Sequence, residues 1–183
     1  MKFLLIGYYH KADGFKTSTD SLVKLGHKVE FFPMMQYKNE QRMSDAVIDF
    51  KYFLLVIEID EFQHKRYDEM YERNRMIQIF KDFKGISIVF IRFNPDCYSV
   101  RLPNGVKKIV KPNNNERLGE LLHLIKRFEF LRDSYEKSTV LPSLSVCYMY
   151  YDNYTGEPEV NAVEMSEEIK QQDKIVKLNI IKS

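Results

Sequence analysis

Residues 45–60 read DAVIDFKYFLLVIEID, and how this stretch pairs decides the fold. Phe53–Asp60 (FLLVIEID) is apolar at both alternating positions, which suits a central strand covered on both faces. Asp45–Phe50 (DAVIDF) is a shorter run of the same kind, and only Lys51 and Tyr52 lie between the two. The spacing predicts an antiparallel hairpin in which residue 50 faces 53, 49 faces 54 and 45 faces 58. Asp45 and Glu58 are then cross-strand neighbours, with Cβ atoms about 5 Å apart. Glu58 and Asp60 share a face because strand side chains alternate with period two. Three carboxylates therefore converge on one side of the sheet, at one end.

Like charges at that spacing repel, and partial burial raises the cost. Protonation relieves it, and so does a bound divalent cation. Hard oxygen ligands suit Mg²⁺, which commonly takes one or two carboxylates and keeps several waters. A site of that form activates water and stabilises charge on a phosphate. The plainer alternative is that Glu58 and Asp60 end a strand where it reaches solvent, but this leaves Glu58 inside an apolar run unexplained. The residues by themselves leave both readings open.

Outward from the hairpin, Lys2–Tyr9 is a short apolar run that reads as a strand. Lys16–Leu25 is a short helix closed by Gly26, and Val29–Met34 is an edge strand ending near Pro33. Downstream, Arg66–Phe83 carries Tyr67, Met70, Tyr71, Asn74, Ile77 and Phe80 at helical steps, and Gly85 closes it. Ile86–Phe93 (ISIVFIRF) is a further strand. Asn94-Pro95-Asp96 breaks the chain and residues 102–108 hold a turn. Glu116–Leu131 is a helix with Leu118, Leu121, Leu122, Ile125 and Phe128 on one stripe, and Leu144–Tyr151 is a late strand. From Asn153 onward the chain is polar, with an edge strand at most near Lys174–Ile181. The order from residue 16 is helix, strand, strand, strand, helix, strand. One right-handed crossover through the long helix gives an α/β fold with a mixed sheet flanked by helices.

With 183 residues and 44% hydrophobic content, the chain suits one globular domain with an appendage. Its 28 basic and 26 acidic residues leave a net charge of +2, so any polyanion site has to come from local clustering. Cys97 and Cys147 form no motif, which argues against a disulfide scaffold or a cysteine zinc site and for a reducing, intracellular compartment. No apolar run approaches the length of a membrane span. The opening MKFLLIGYYHK is too short and mixed for a signal peptide, so the chain is not expected to be secreted.

Several separate elements come together between Arg42 and Tyr98. They are Arg42-Met43-Ser44-Asp45, then Val47–Phe50, Glu58-Ile59-Asp60-Glu61, Gln63-His64, Arg75, and Phe90-Ile91-Arg92-Phe93-Asn94-Pro95-Asp96. In this order and spacing they resemble nuclease-like proteins of large DNA viruses, relatives of the very-short-patch-repair endonucleases in the PD-(D/E)XK superfamily. The resemblance covers about a third of the chain well and residues 99–151 loosely. It implies a restriction-endonuclease-like core over residues 37–151 and hydrolysis of DNA phosphodiester bonds with Mg²⁺ or Mn²⁺. It implies Asp45, Glu58 and Asp60 as metal ligands, His64 as a proton shuttle or a group that orients the attacking water or the phosphate rather than a plain loop histidine, and Arg75 and Arg92 as phosphate contacts. It also implies residence in the cytoplasm or nucleus of a host cell. Two positions depart from the pattern: Ser44 stands where it has proline, and Asp60 where it has lysine. The general base is thereby left unassigned.

Residues 1–36 differ from the usual upstream region. MKFLLIGYYHKADGF with LVKLGHKVEFFP resembles the opening of a nucleotide-sugar glycosyltransferase, a fused segment whose Val29–Met34 would extend the nuclease sheet. Residues 152–183 form a polar extension. Two other function classes compete: a catalytically inactive nucleic-acid-binding relative, and a doubly wound nucleotide-binding fold. The latter lacks a glycine-rich phosphate loop, because Gly7 and Gly14 are too far apart. Arg73, the basic group Lys107, Lys108 and Lys111, and His10 and His27 read more simply as surface residues. Arg75 has a structural alternative as a partner of Asp60 or Asp96.

Overall fold

The computed structural model describes residues 2–5, 28–31, 44–83, 86–135, 142–167 and 169–170. Its strands are β1 (Lys2–Leu5), β2 (Lys28–Phe31), β3 (Ala46–Asp49), β4 (Phe53–Ile59), β5 (Ser87–Phe93), β6 (Tyr98–Arg101), β7 (Lys107–Val110), β8 (Leu144–Met149) and β9 (Val160–Ala162). The α-helices whose bounds are described are α1 (Glu69–Asp82) and α2 (Asn114–Tyr135), and Glu61–His64 forms a short 3-10 turn. The expected helix at 16–25, strand at 174–181, His10 and His27 lie outside the described residues.

Seven strands form one mixed sheet in the order β2-β1-β3-β4-β5-β8-β9, and β6 pairs with β7 in a separate two-stranded ribbon. The β3–β4 hairpin is antiparallel with Asp49 opposite Leu54 and Ala46 opposite Ile57, the register that the two-residue gap dictates. Phe50 N–H donates to the Phe53 carbonyl at 3.0 Å and closes the tip. Lys51 takes a positive φ of 74° there. β4, β5 and β8 are mutually parallel, and β8–β9 is antiparallel. With β1 antiparallel to β3 and β3 to β4, the sheet is not the all-parallel one of a doubly wound fold. β1 and β2 extend the same sheet, parallel to each other, so the N-terminal segment and the middle of the chain share one layer.

The alternation of β4 feeds two cores. Phe53, Leu55 and Ile57 join Ala46, Ile48, Val89, Ile91 and Cys147 under Leu121, Leu124, Ile125 and Phe128 of α2. Leu54 and Val56 join Val47, Ile88, Phe90, Leu144 and Val146 under Met76, Ile77, Ile79 and Phe80 of α1. Each such buried aliphatic or aromatic side chain contributes about 1.5–3 kcal/mol. This is why a strand apolar at every position is favoured between two helical layers. Asp68 starts α1 as its N-cap, its Oδ1 accepting from Met70 N at 2.9 Å and Tyr71 N at 3.1 Å.

Three elements go beyond what the sequence predicts. The ribbon β6–β7 and the edge strand β9 are short and mostly exposed, so they lack an apolar alternation.

Candidate functional site

The parallel strands β4, β5 and β8 end along one edge of the sheet, and the residues just past them interlock. Asp60 N–H donates to the Phe93 carbonyl at 2.8 Å, and Asn94 N–H to the Met149 carbonyl at 3.1 Å. Crevices outside the carboxyl ends of parallel strands are where open α/β sheets bind ligands. The parity of β4 and β5 turns Glu58, Asp60 and Arg92 to the α1 face, because Val56, Phe90 and Glu58's partner Arg92 share that face. Above them, the inward stripe of α1 runs Glu72, Arg75, Met76, Ile79 at three- and four-residue steps. It is apolar over the strands and ionic where it overhangs their ends.

Glu58 lies in this ionic part, only 3% exposed. Arg75 Nη2 donates to its Oε2 at 2.7 Å, and the nearby Ser44, the residue standing where the pattern has proline, also favours the ionised carboxylate. Glu58 Oε1 is buried with no hydrogen-bond partner among the described residues. Burial pushes the Glu58 carboxyl up to about 7 against the opposing pull of Arg75, and neighbouring Asp45 adds to the rise. Asp45 precedes Ala46 on the strand opposite, and its Oδ2 accepts from Ile59 N at 2.6 Å. Burial raises its pKa as well. Arg75 thus pairs with Glu58 rather than with Asp60 or Asp96.

Asp60 is fully buried and committed elsewhere. Arg92 Nε donates to Asp60 Oδ2 at 2.5 Å and Arg92 Nη2 to Oδ1 at 2.9 Å, a bidentate pair. The Tyr151 hydroxyl also donates to Asp60 Oδ2. Arg92 is itself buried, and its Nη1 meets Glu72 Oε2. Its guanidinium is therefore turned inward onto two carboxylates, where the resemblance implies a phosphate contact. Among the described residues, no group of three or more His, Cys, Asp or Glu side chains is placed to hold a metal ion. Asp45 and Glu58 remain as a pair of carboxylates outside the Arg92 network.

His64 sits on a turn, Glu61–His64, of unusual backbone. Phe62, Gln63 and His64 take φ values of 55°, 59° and 48°, three successive residues other than glycine in left-handed conformation. Each costs on the order of 1 kcal/mol or more and persists only where its surroundings fix it. The fixing contacts are visible. Asp96 Oδ2 accepts from Phe62 N at 2.8 Å. Gln63 Nε2 donates to Asp152 Oδ1 at 3.2 Å, and Asp152 N donates back to Gln63 Oε1 at 3.0 Å. Arg117, buried at the start of α2, steadies the support by donating to the carbonyls of Asn94 and Asp96 at 3.1 and 2.7 Å.

So held, His64 Nδ1 lies 3.0 Å from Arg92 Nη2 and 3.3 Å from Asp60 Oδ1. Glu72, foremost, and then Asp60 raise the His64 pKa above its usual range, against burial and the Arg92 charge. Glu72 is held down at about 2: burial works against this, but His64, Arg92 and Arg75 outweigh it.

The structure therefore brings Asp45, Glu58 and Arg75 into one group, and Asp60, His64 and Arg92 into a second that touches it through Glu72. Sequence reasoning missed Glu72, Tyr151 and Asp152, and gave Gln63, part of the matched Gln63-His64 element, no role of its own. For Glu72 a signal existed, its place three and four residues before Arg75 and Met76. Tyr151 and Asp152 arrive from a distant strand and gave none. No family model, curated protein or solved structure matches the chain.

Proposed function

We propose that this chain is a metal-dependent, endonuclease-like phosphodiesterase acting on DNA, with Asp45 and Glu58 as the carboxylates that hold Mg²⁺ or Mn²⁺. One observation carries the reading: Glu58 is a buried carboxylate opposite a second acid, with one oxygen unpartnered and a raised pKa. Such a group is costly by itself, and a divalent cation relieves both the repulsion and the unmet oxygen. When bound, the cation supplies Lewis acidity against charge on the phosphate.

The chain's own groups do the rest. Arg75 orients Glu58 through its 2.7 Å hydrogen bond. Asp60 and Arg92 act as a buried ion pair that fixes the floor of the site, and neither is assigned a ligand or phosphate role. Arg92 and Asp60 engage Nδ1 of His64, which leaves Nε2 as the atom that exchanges a proton with the reacting oxygen. The restriction-endonuclease-like core is part of this proposal, supported by the antiparallel β3–β4 hairpin followed by the parallel β4–α1–β5 unit.

A second reading, a catalytically inactive nucleic-acid-binding relative, is favoured by the tight Arg92–Asp60–Tyr151 network, which takes the third acid out of play. Incubation of the protein with plasmid and single-stranded DNA in Mg²⁺, Mn²⁺ or EDTA separates the two. Cleavage in either metal and none in EDTA supports the first reading. Binding of DNA without cleavage in any condition supports the second.

A further inference from the structure

The β6–β7 ribbon carries a charge pattern that the fold does not use. From Tyr98 to Pro112 it holds Arg101, Lys107, Lys108 and Lys111 and no Asp or Glu. The whole chain has a net charge of +2, so the rest of it carries 2 − 4 = −2. All four cations are exposed, and none forms an ion pair with a described residue. Moreover, Arg101 and Lys107 stand directly opposite each other in the register. Like charges facing across strands destabilise a ribbon, and opposite charges are the stabilising choice. A two-stranded ribbon is marginal to begin with. The pair is therefore a mild repulsion, and a bound polyanion is one way to relieve it.

The base of the ribbon is fixed beside the candidate site. Ser99 N donates to Asp152 Oδ1 at 2.8 Å, the same carboxylate that engages Gln63 and Lys65 on the His64 turn. Asn153 N donates to the Ser99 carbonyl at 2.7 Å, and Tyr98 packs against Tyr150 and Tyr154. The far end is a tight turn in which Leu102 N donates to Val106 O at 2.9 Å and Gly105 takes a φ of 79°. A held base and a cationic, exposed arm suit a long anion that runs past the site.

We propose that the β6–β7 ribbon grips the phosphate backbone of duplex DNA beside the His64 turn of the candidate site. The choice of DNA rests on the reading given under Proposed function; the preference for a polyanion rests on the ribbon's own four exposed cations. Each phosphate contact releases counterions, so binding through these cations falls steeply with salt.

The test is fluorescence anisotropy of the full chain with a labelled DNA duplex in EDTA, where cleavage plays no part, over a series of salt concentrations. The alanine variant R101A/K107A/K108A/K111A should bind about tenfold or more weakly at low salt. Its log–log salt slope should be shallower by about 0.9 for each phosphate that the ribbon no longer neutralises. The glutamine set at the same four positions keeps side-chain length and should do the same, which covers misfolding of the alanine variant. K126A/R127A, which removes two exposed cations of α2, should bind like the unaltered chain. K107E should weaken DNA binding yet raise Tm, because it turns a repelling pair into an attracting one. Absence of duplex binding overturns the proposal, as does unchanged affinity and slope in the glutamine set, or an equal loss in K126A/R127A. Ribbon-dependent binding without cleavage in Mg²⁺ would remove the nuclease reading and leave the ribbon's role standing. Cleavage in Mg²⁺ with ribbon-independent binding would do the reverse.

Discussion

Arg92 and Asp60 form a two-point ion pair, 2.5 and 2.9 Å long, in which neither side chain is more than 2% exposed. They come from adjacent parallel strands and are joined by Tyr151 from beyond a third. Arg92→Ala should therefore destabilise the protein by about 3–5 kcal/mol, because it strands buried carboxylates. Asp60→Leu with Arg92→Met should cost much less than Arg92→Ala alone. Urea unfolding of the single and double variants checks this, and a double variant as unstable as Arg92→Ala would count against it.

Glu58 gives a pH dependence with a definite sign. Its carboxyl is raised from 4.5 to about 7 in the folded chain, so the native state binds the extra proton in that window. Stability contributed by this group is full below about pH 4.5 and is lost as pH rises through 7. Glu58→Gln should remove that slope and stabilise the metal-free protein near pH 8 by up to about 3 kcal/mol. Thermal melts from pH 4 to 8 in EDTA measure both effects, and parallel curves for the two proteins would contradict the shift.

The same substitution should abolish cleavage in Mg²⁺, and Asp45→Asn should do likewise, while both variants stay folded. Calorimetric Mn²⁺ titration of each should show affinity reduced at least tenfold, since each removes one of two charged ligands. Retained cleavage in Glu58→Gln would refute its assignment.

His64→Ala should slow cleavage by roughly a hundredfold, the usual scale for a general acid–base group, with little change in Mn²⁺ affinity. A matching fall in affinity would make His64 a ligand instead. No change in either quantity would remove it from the site.

Asp68→Ala should destabilise the fold by about 1 kcal/mol, because Asp68 caps α1 by accepting from two backbone N–H groups. The effect should appear in urea unfolding, and no change in midpoint would show the cap to be dispensable.

The hairpin was the most legible part of this chain, since a two-residue gap between apolar runs leaves one sensible register. The nearness of Asp45 to Glu58 followed from the same arithmetic, and Glu58 was conspicuous as a charge within an apolar strand. Sharing a face did not imply sharing a role. Asp60 and Glu58 point to the same side, yet the pairing of β5 with β4 brings Arg92 onto Asp60 and leaves Glu58 to Arg75. Periodicity along a single strand cannot rank such partners, because the choice is made by the neighbouring strand and the helix above. The left-handed turn at residues 62–64 had no glycine to announce it. Its shape is imposed by Asp96 and Asp152 from other parts of the chain.

Those late-arriving partners bear on how the molecule folds in time. The β3–β4 hairpin and the β4–α1–β5 crossover join segments close in sequence, whereas β8 reaches β5 only after the ribbon and the whole of α2. Loop-closure entropy delays such distant pairings. Tyr151 and Asp152 follow β8, so the contacts that seal Asp60 and brace Gln63 form with the last central strand. Mutations that weaken the docking of β8 should consequently act mainly by speeding unfolding, with little effect on the refolding rate, and the His64 turn should acquire its native shape at the end of folding rather than with the hairpin that precedes it.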